Sequence, residues 1–319
     1  MRDVAYCGGE GLRERHGGAW PRGPQVAVVN DEAKDDPIRN YSIWRQLWEG
    51  TQHLLTPTPW PARLAERLGV STAVTVDHHD VDVAGTLGGS DRLRIAFASD
   101  FHAGPMTPAG VIDEAIARLS DANADVLLLG GDFVSPSAES IGELARRLAG
   151  VPASLGRYAV LGNHDYYAGA AEIAAHLRRA GIEVLTNRNV RLPAPFGNVS
   201  ICGLDDHTNG APDSDAAFSN CEAVRIVLMH APSSLLDIGE RPFTVAVCGH
   251  THGGQIALPN GRPLIVGPGR LSRRYNAGRF TIGDRTLLVS RGVGCAVLPF
   301  RANAPAAVLT CTIHGRTET

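Results

Sequence analysis

The middle of the chain alternates between apolar runs and stretches of helical periodicity. Residues 94–99 and 125–131 are almost continuously apolar, which is typical of strands that are covered on both faces of a sheet. Apolar positions at helical spacing predict helices over residues 108–120, 138–149 and 169–180. Strands that alternate with helices indicate βαβ units and therefore an α/β fold.

Beyond residue 198 the pattern changes to short apolar runs separated by turn residues. These runs predict strands over residues 199–202, 225–229, 244–247, 280–282, 286–289 and 307–313. A strand-rich half that follows a helix-rich half favours two mixed β-sheets packed face to face, with helices outside.

The first 91 residues are predicted to form an extension that precedes the main domain, which covers residues 92–313 and leaves a tail at 314–319. Residues 1–36 are rich in glycine, arginine and charged side chains. They are therefore expected to be loosely ordered or peripheral.

A helix is predicted over residues 37–50 of this extension. One apolar stripe would be formed there by Tyr41, Trp44, Leu47 and Trp48. The stripe favours a helix packed on the main domain; a peripheral membrane contact and a lid over the substrate are the alternatives. A short helix over residues 62–68 and a strand over residues 72–76 are predicted next.

Composition narrows the class of protein. Of the 319 residues, 44% are hydrophobic and 20% charged, and the formal net charge of −3 gives no indication of a nucleic-acid partner. The N-terminus lacks the apolar segment of a signal peptide, and no stretch approaches about 18 apolar residues. A soluble, cytoplasmic protein without a transmembrane segment is therefore expected. The six cysteines form no CxxC pair, which favours buried free thiols.

Five of the apolar runs end in side chains that can bind a metal ion. In chain order they deliver Asp100 and His102, then Asp132, then Asn163, His164 and Asp165, then His230, and finally His250 and His252. Because the carboxyl ends of neighbouring strands meet at one crevice in an α/β sheet, these groups are expected to converge. Carboxylate, imidazole and amide groups suit divalent ions, and the lack of cysteine argues against a closed structural zinc site.

These segments resemble the motifs of the calcineurin-like metallophosphoesterases. The matching strings are DFH at 100–102, GGD at 130–132, GNHD at 162–165, the lone His230 and GHTH at 249–252. The longer string GHTHGGQ is similar to a bacterial subgroup of often membrane-associated phosphoesterases, some of which act on nucleotide-linked or lipid-linked phosphodiesters. Over roughly residues 92–313 the resemblance implies a four-layer αββα sandwich.

The resemblance also implies two divalent metal ions, whether Mn, Fe or Zn. One ion would be held by Asp100, His102, Asp132 and His252, and the other by Asp132, Asn163, His230 and His250. Asp132 is then the bridge, and ions about 3.5 to 4 Å apart can share a hydroxide that attacks the phosphorus in line. The resemblance leaves His164 unassigned to a metal, and an imidazolium at this position is suited to protonate the leaving alkoxide or to stabilise charge on the phosphoryl group.

One position departs from the pattern of the family. Many members carry an aspartate three residues after the bridging aspartate, where it orients the catalytic imidazole, whereas this chain has Ser135. Ser135 is therefore expected to orient His164 without adding charge, and Asp165 is the alternative.

Substrate contacts are less clearly indicated. Six arginines follow the GHTH turn, namely Arg270, Arg273, Arg274, Arg279, Arg291 and Arg301. A guanidinium suits phosphate recognition, and Arg291 is the one predicted for the site; solvated surface charges are the alternative. Asp205 is predicted to line the crevice, with a capped turn before Asn209 as the alternative.

The predicted function is metal-dependent hydrolysis of a phosphate ester. The preference for a phosphodiester rests on the resemblance. The alternative enzymatic function is that of a phosphomonoesterase acting on a small phosphorylated metabolite or nucleotide. The non-enzymatic alternative is a non-catalytic scaffold on the same fold.

Overall fold

Two six-stranded mixed sheets lie at the centre of the computed structural model. The structure describes residues 60–67, 73–83, 85–264, 266–296 and 298–315. The predictions for residues 1–36 and for the helix over residues 37–50 fall outside this part of the chain. The boundary at residue 92 stays a prediction.

The first sheet contains the apolar runs of the helix-rich half. Its strands, in spatial order, are β1 (Thr75–Asp82), β12 (Ala307–His314), β2 (Arg92–Ala98), β3 (Val126–Leu129), β4 (Arg157–Ala159) and β5 (Glu183–Val184). β12 runs antiparallel to β2, and the other neighbours are parallel. The strand predicted over residues 72–76 is therefore β1, which begins later and is longer, because it pairs along its whole length with β12.

The second sheet contains most of the strands of the strand-rich half. In spatial order they are β10 (Gly278–Ile282), β11 (Arg285–Val289), β9 (Val245–Cys248), β8 (Val224–Leu228), β7 (Val199–Gly203) and β6 (Arg188–Arg191). The four inner strands are mutually parallel, and the two edge strands are antiparallel to their neighbours. All six predicted strand segments are confirmed to within two residues at each end.

The helices of the described residues connect these strands. They are α1 (Trp60–Arg67), α2 (Ala109–Asp121), α3 (Ile141–Ala149), α4 (Asn163–Arg179), α5 (Ser214–Phe218) and α6 (Leu235–Ile238), with short 3-10 turns at 138–140, 232–234 and 252–254. None of the helices in the described ranges combines the length and apolar character required to cross a bilayer. The helix predicted over residues 169–180 is only the second half of α4, which kinks at Gly169, where φ is 124°.

Side chains alternate between the two faces of each sheet, and this alternation divides the core into separate apolar layers. On β2, Ile95 and Phe97 point into the apolar layer between the two sheets, whereas Ala96 and Ala98 face the layer under α2, α3 and α4. On the second sheet, Ile226 of β8 points inward, and the outward side chains pack with α5 and α6. Inner strands such as β3 and β9 are covered on both faces and are wholly apolar, as two-sided burial requires, whereas the edge strands β1 and β6 carry polar side chains. The four-layer arrangement is thus confirmed.

Candidate metal centre

The predicted metal ligands lie at the ends of strands in both sheets. Asp100 follows β2, Asp132 follows β3 and Asn163 follows β4, all in the first sheet, whereas His230 follows β8 and His250 follows β9 in the second. The strands are parallel within each sheet, so their carboxyl ends lie at one edge. All five side chains are buried.

The first cluster consists of Asp100, His102 and His252, whose ligand atoms all lie within 4.8 Å of one another. His252 Nε2 is 3.1 Å from His102 Nε2 and 3.6 Å from Asp100 Oδ1. The Asp100 carboxylate is fixed by the His250 N–H, at 3.0 Å from each oxygen, and by the Ser99 hydroxyl at 2.5 Å. One carboxylate therefore serves the cluster and also anchors the turn that carries His250 and His252.

The second cluster consists of Asp132, His230 and His250, within the same 4.8 Å limit. His230 Nε2 is 3.1 Å from His250 Nδ1 and 3.2 Å from Asn163 Oδ1. An amide oxygen, two ring nitrogens and a carboxylate oxygen therefore face one point. Asn163 takes part because it is the first residue of α4.

A single oxygen links the two clusters. Asp132 Oδ2 is 3.6 Å from His102 Nε2 and 3.3 Å from His230 Nε2. The other oxygen, Oδ1, accepts the N–H of His164 at 2.7 Å. One carboxylate oxygen of Asp132 therefore lies near a ring nitrogen of each cluster.

The second ring nitrogens of His230 and His250 are held by backbone carbonyls. His230 Nδ1 is 2.8 Å from the carbonyl of Gly130, and His250 Nε2 is 2.8 Å from the carbonyl of Pro268. A carbonyl can only accept, so these nitrogens carry protons; in the neutral form of each ring, His230 Nε2 and His250 Nδ1 would then present lone pairs to a bound cation.

The backbone at the centre is left-handed at five of the ligands. The residues with positive φ are Asp100 (55°), His102 (42°), Asp132 (54°), His250 (70°) and His252 (53°). Such conformations are uncommon outside glycine and cost free energy, which the surrounding structure must offset. Their concentration at one edge of the sheets is typical of a functional site.

Electrostatics favour a cation at this edge. Burial raises the pKa of Asp100 to about 6. Burial also opposes the charged forms of Asp132 and His230, but their mutual attraction prevails, so the pKa of Asp132 lies well below its usual range and that of His230 rises to about 10. Without a bound metal ion, a proton on His230 compensates the negative charge of the buried carboxylates. A divalent cation would compensate that charge more strongly.

His164 lies beside the two clusters and contacts Ser135, as was expected from the sequence. Its Nδ1 is 3.4 Å from Ser135 Oγ, and its ring meets that of His102 edge-on, with the centroids 4.6 Å apart. Asp165 does not take the alternative role. Its carboxylate accepts the backbone N–H groups of Asp132 and Phe133, each at 2.8 Å, and so positions the bridging residue.

The arginines do not form the phosphate-binding group that their clustering suggested. Arg270, Arg273, Arg274 and Arg279 are exposed, and Arg291 and Arg301 are buried. Arg291 bonds to Thr75 Oγ1 at 2.8 Å and to Asp77 Oδ1 at 2.9 Å, and is only 2% exposed. Its Nε donates to the carbonyl of Pro305 at 3.0 Å, so these contacts anchor Arg291 within the protein, and its role as a substrate residue stays a prediction.

Arg301 is a part of the centre that the sequence did not reveal. Its Nη2 lies 3.1 Å from His252 Nδ1, and Nη1 donates to the carbonyl of His252 at 3.1 Å. It also donates to the carbonyls of Arg291 and Gly294, which belong to the loop packed on Asp100. His252 lies 49 positions away in sequence, so only the position of Arg301 in the arginine-rich segment singled it out.

Asp205 forms the capped turn that was its alternative interpretation. Its carboxylate accepts the N–H groups of Asp206 and Ala211, each at 2.9 Å, and Asp206 accepts the N–H of Asn209 at 2.7 Å. The Tyr166 hydroxyl also donates to Asp205, which links this turn to the first turns of α4. No local pattern in the sequence indicated this link.

Gln255 has a role that only the structure shows. Its Nε2 donates to the carbonyls of Leu298 and Phe300, at 2.7 and 2.9 Å, and its Oε1 accepts the N–H of Ala296 at 3.1 Å. The last residue of GHTHGGQ thus holds the segment that leads to Arg301.

Known proteins share this part of the chain. Residues 93–284 match the family model of the calcineurin-like phosphoesterase superfamily domain. Phosphodiesterase YaeI of Escherichia coli (strain K12) is 32% identical over 210 residues, which are 63% of this chain and 75% of that protein. An uncharacterized metallophosphoesterase of Helicobacter pylori (strain ATCC 700392 / 26695) is 30% identical over 226 residues, which are 68% of this chain and 58% of that protein.

Solved structures that align with this chain include that of the NAD nucleotidase NadN of Haemophilus influenzae. It aligns with a TM-score of 0.41 and 15% sequence identity. The alignment covers 64% of this chain and 46% of that one, so the chain spans less than half of this neighbour.

Proposed function

The chain belongs to the calcineurin-like phosphoesterase superfamily, and from this premise we propose that it hydrolyses a phosphodiester with the help of two divalent metal ions. Membership implies a metal-dependent phosphoester hydrolase. The number of ions, their ligands and the preference for a diester are what we add.

The position of Asp132 Oδ2 carries the proposal. This atom lies within 3.6 Å of a ring nitrogen in each cluster, so two cations bound there would share it. The proposed ligands of the first ion are Asp100, His102, Asp132 and His252, and those of the second are Asp132, Asn163, His230 and His250. The mixed nitrogen and oxygen donors fit Mn, Fe or Zn.

The protein side chains divide the remaining work. When bound, the two cations would polarise the phosphoryl oxygens and activate an attacking water. Asp165 keeps the backbone at the bridging Asp132 in place, because its carboxylate accepts the N–H groups of Asp132 and Phe133. No side-chain nucleophile is required, so the chain needs only to orient the ester and to supply a proton to the leaving oxygen.

His164 is the group that we propose as this proton donor. It is only 6% exposed and lies next to the first cluster. Ser135 Oγ lies 3.4 Å from its Nδ1, and we assign the proton transfer to Nε2. Since a hydroxyl brings no charge, the imidazolium form gains less stabilisation here than beside a carboxylate.

The preference for a diester is supported by the name of a relative, Phosphodiesterase YaeI, which is 32% identical over the matched residues. It is tested by comparing the turnover of bis-p-nitrophenyl phosphate with that of p-nitrophenyl phosphate, after separate loading with Mn²⁺, Fe²⁺ and Zn²⁺. We expect faster turnover of the diester. Faster turnover of the monoester would reject the diester preference and identify a phosphomonoesterase.

A control variant and a metal analysis complete this experiment. An Asp132→Asn variant, purified in parallel, measures the activity of any contaminating phosphatase. Metal analysis of the wild-type protein then decides the wider proposal, since failure to retain any of the three metals would favour a non-catalytic scaffold.

A further inference from the structure

Two cysteines outside the metal centre lie unusually close together. Cys202 Sγ, on β7, is 3.1 Å from Cys221 Sγ, in the segment that follows α5. A disulfide needs a sulfur separation of about 2.05 Å, so closing the bond requires a movement of about 1 Å. The other three described cysteines, Cys248, Cys295 and Cys311, are buried free thiols.

The two thiols differ in accessibility. Cys202 is fully buried, at 0% exposure, whereas Cys221 is partly exposed. The contact with the Cys202 thiol lowers the pKa of Cys221 to about 7, with a smaller contribution from Arg225. The same contact raises the pKa of Cys202. Cys221 thus has the properties of an attacking thiolate, and Cys202 those of a thiol that acts second.

We propose that Cys202 and Cys221 form a dithiol site that reacts with low-molecular-weight disulfides and closes into an intramolecular disulfide. The Cys221 thiolate attacks one sulfur of the disulfide RSSR, whose S–S bond breaks and releases RS⁻, which takes up a proton. Cys202 then loses its proton, attacks the Cys221 sulfur and displaces the second RS⁻. The two cysteines are oxidised, and RSSR is reduced to two molecules of RSH.

The closed disulfide would tie α5 to the second sheet. The enclosed segment, residues 203–220, includes the Asp205 turn that is bonded to Tyr166 on α4. Because α4 begins with Asn163, the bond would restrain the segment next to the metal centre without touching a proposed ligand. The inference does not depend on the proposed function.

The test is peptide mapping of the native full-length chain after incubation with oxidised glutathione. The remaining thiols are blocked with N-ethylmaleimide in denaturant, and the chain is digested without reduction. We expect a peptide pair joined through Cys202 and Cys221, with the loss of two hydrogens, that separates on reduction. A Cys7→Ser background removes a thiol that lies outside the described residues.

Several outcomes would overturn the inference. They are full alkylation of both cysteines, a stable glutathione adduct on Cys221 without the cross-link, and a cross-link to Cys248, Cys295 or Cys311. Cys248→Ser is the matched control and should cross-link like the wild type.

A pH profile tests the contact directly. On the native chain, alkylation of Cys221 should be half-maximal near pH 7, the value to which its pKa is lowered. Cys202→Ala removes the partner thiol and should move the midpoint to higher pH. An unchanged midpoint in this variant would also contradict the proposed pairing.

Discussion

The guanidinium of Arg301 holds His252 at both ends, with Nη2 at 3.1 Å from the ring Nδ1 and Nη1 at 3.1 Å from the backbone carbonyl oxygen. Arg301 is only 6% exposed, and the same side chain bonds to the loop that packs on Asp100. The position of one proposed ligand thus depends on a residue 49 positions away, which acts through orientation rather than by touching the substrate.

Arg301→Lys should weaken the binding of one metal ion. Lysine keeps the positive charge but lacks the planar fork that reaches both ends of His252, so the affinity of the first cluster is expected to fall about 10- to 100-fold. Metal content per chain and titration with Mn²⁺ measure the effect. Arg291→Lys, also buried, is the matched control and should lose stability without selective loss of one ion. Equal metal loss in both variants would reject the orienting role.

His164→Ala should retain both metal ions and lose rate. The expected loss is about 10²- to 10⁴-fold for a diester with an alkyl leaving group, because that oxygen needs a proton as it departs. For a p-nitrophenyl ester the loss should be smaller, since its leaving group is stable as an anion. His176→Ala, on the same helix, is the control. Equal losses for the two esters would count against proton donation.

Asp132→Asn should remove metal and activity together. The amide carries no negative charge and cannot bridge two cations as a carboxylate does, so both affinities should drop by more than about 100-fold, beyond the typical effect of a residue that only supports a ligand. Metal analysis of the purified variant measures this. Retention of two ions per chain would show that Asp132 is not the shared ligand.

Gly249→Ala should damage the first cluster through steric overlap alone. A Cβ at this position would overlap the Asp100 carboxylate and the Ser99 hydroxyl. We expect reduced metal binding and a lower melting temperature. Gly85→Ala is the matched control, because nothing lies within 4 Å of the Cβ it would add. If Gly249→Ala bound metal as tightly as Gly85→Ala, the described position of Asp100 would be wrong.

The parts of the fold that could be predicted are those that local patterns determine. The strand β2 and the helix α3 follow from the spacing of apolar residues in one short segment, and the ends of the strands then locate Asp100 and Asp132. The helix α4 was only half predicted, because Gly169 interrupts its periodicity and the first turn is polar. That turn carries Asn163 and His164, so the helical geometry of two site residues was missed.

What could not be predicted depends on contacts between distant segments. Arg291 and Arg301 lie ten residues apart in the same arginine-rich region, yet one pairs with Asp77 on β1 and the other with His252. No local pattern distinguishes them from exposed arginines. The bond between Tyr166 and Asp205 likewise depends on how α4 and the second sheet pack, which only the folded chain determines.

The ligands of the proposed centre come from strand ends in both sheets, and this limits how the apolar layer between the sheets can vary. A small shift of one sheet along the other would change the distance between Asp132 Oδ2 and His230 Nε2, which is 3.3 Å. Substitutions at Phe97 or Ile226, which are not proposed ligands, are thus constrained by the reaction as well as by stability. Close packing between the sheets is what allows the protein to place oxygen and nitrogen atoms to within a few tenths of an ångström.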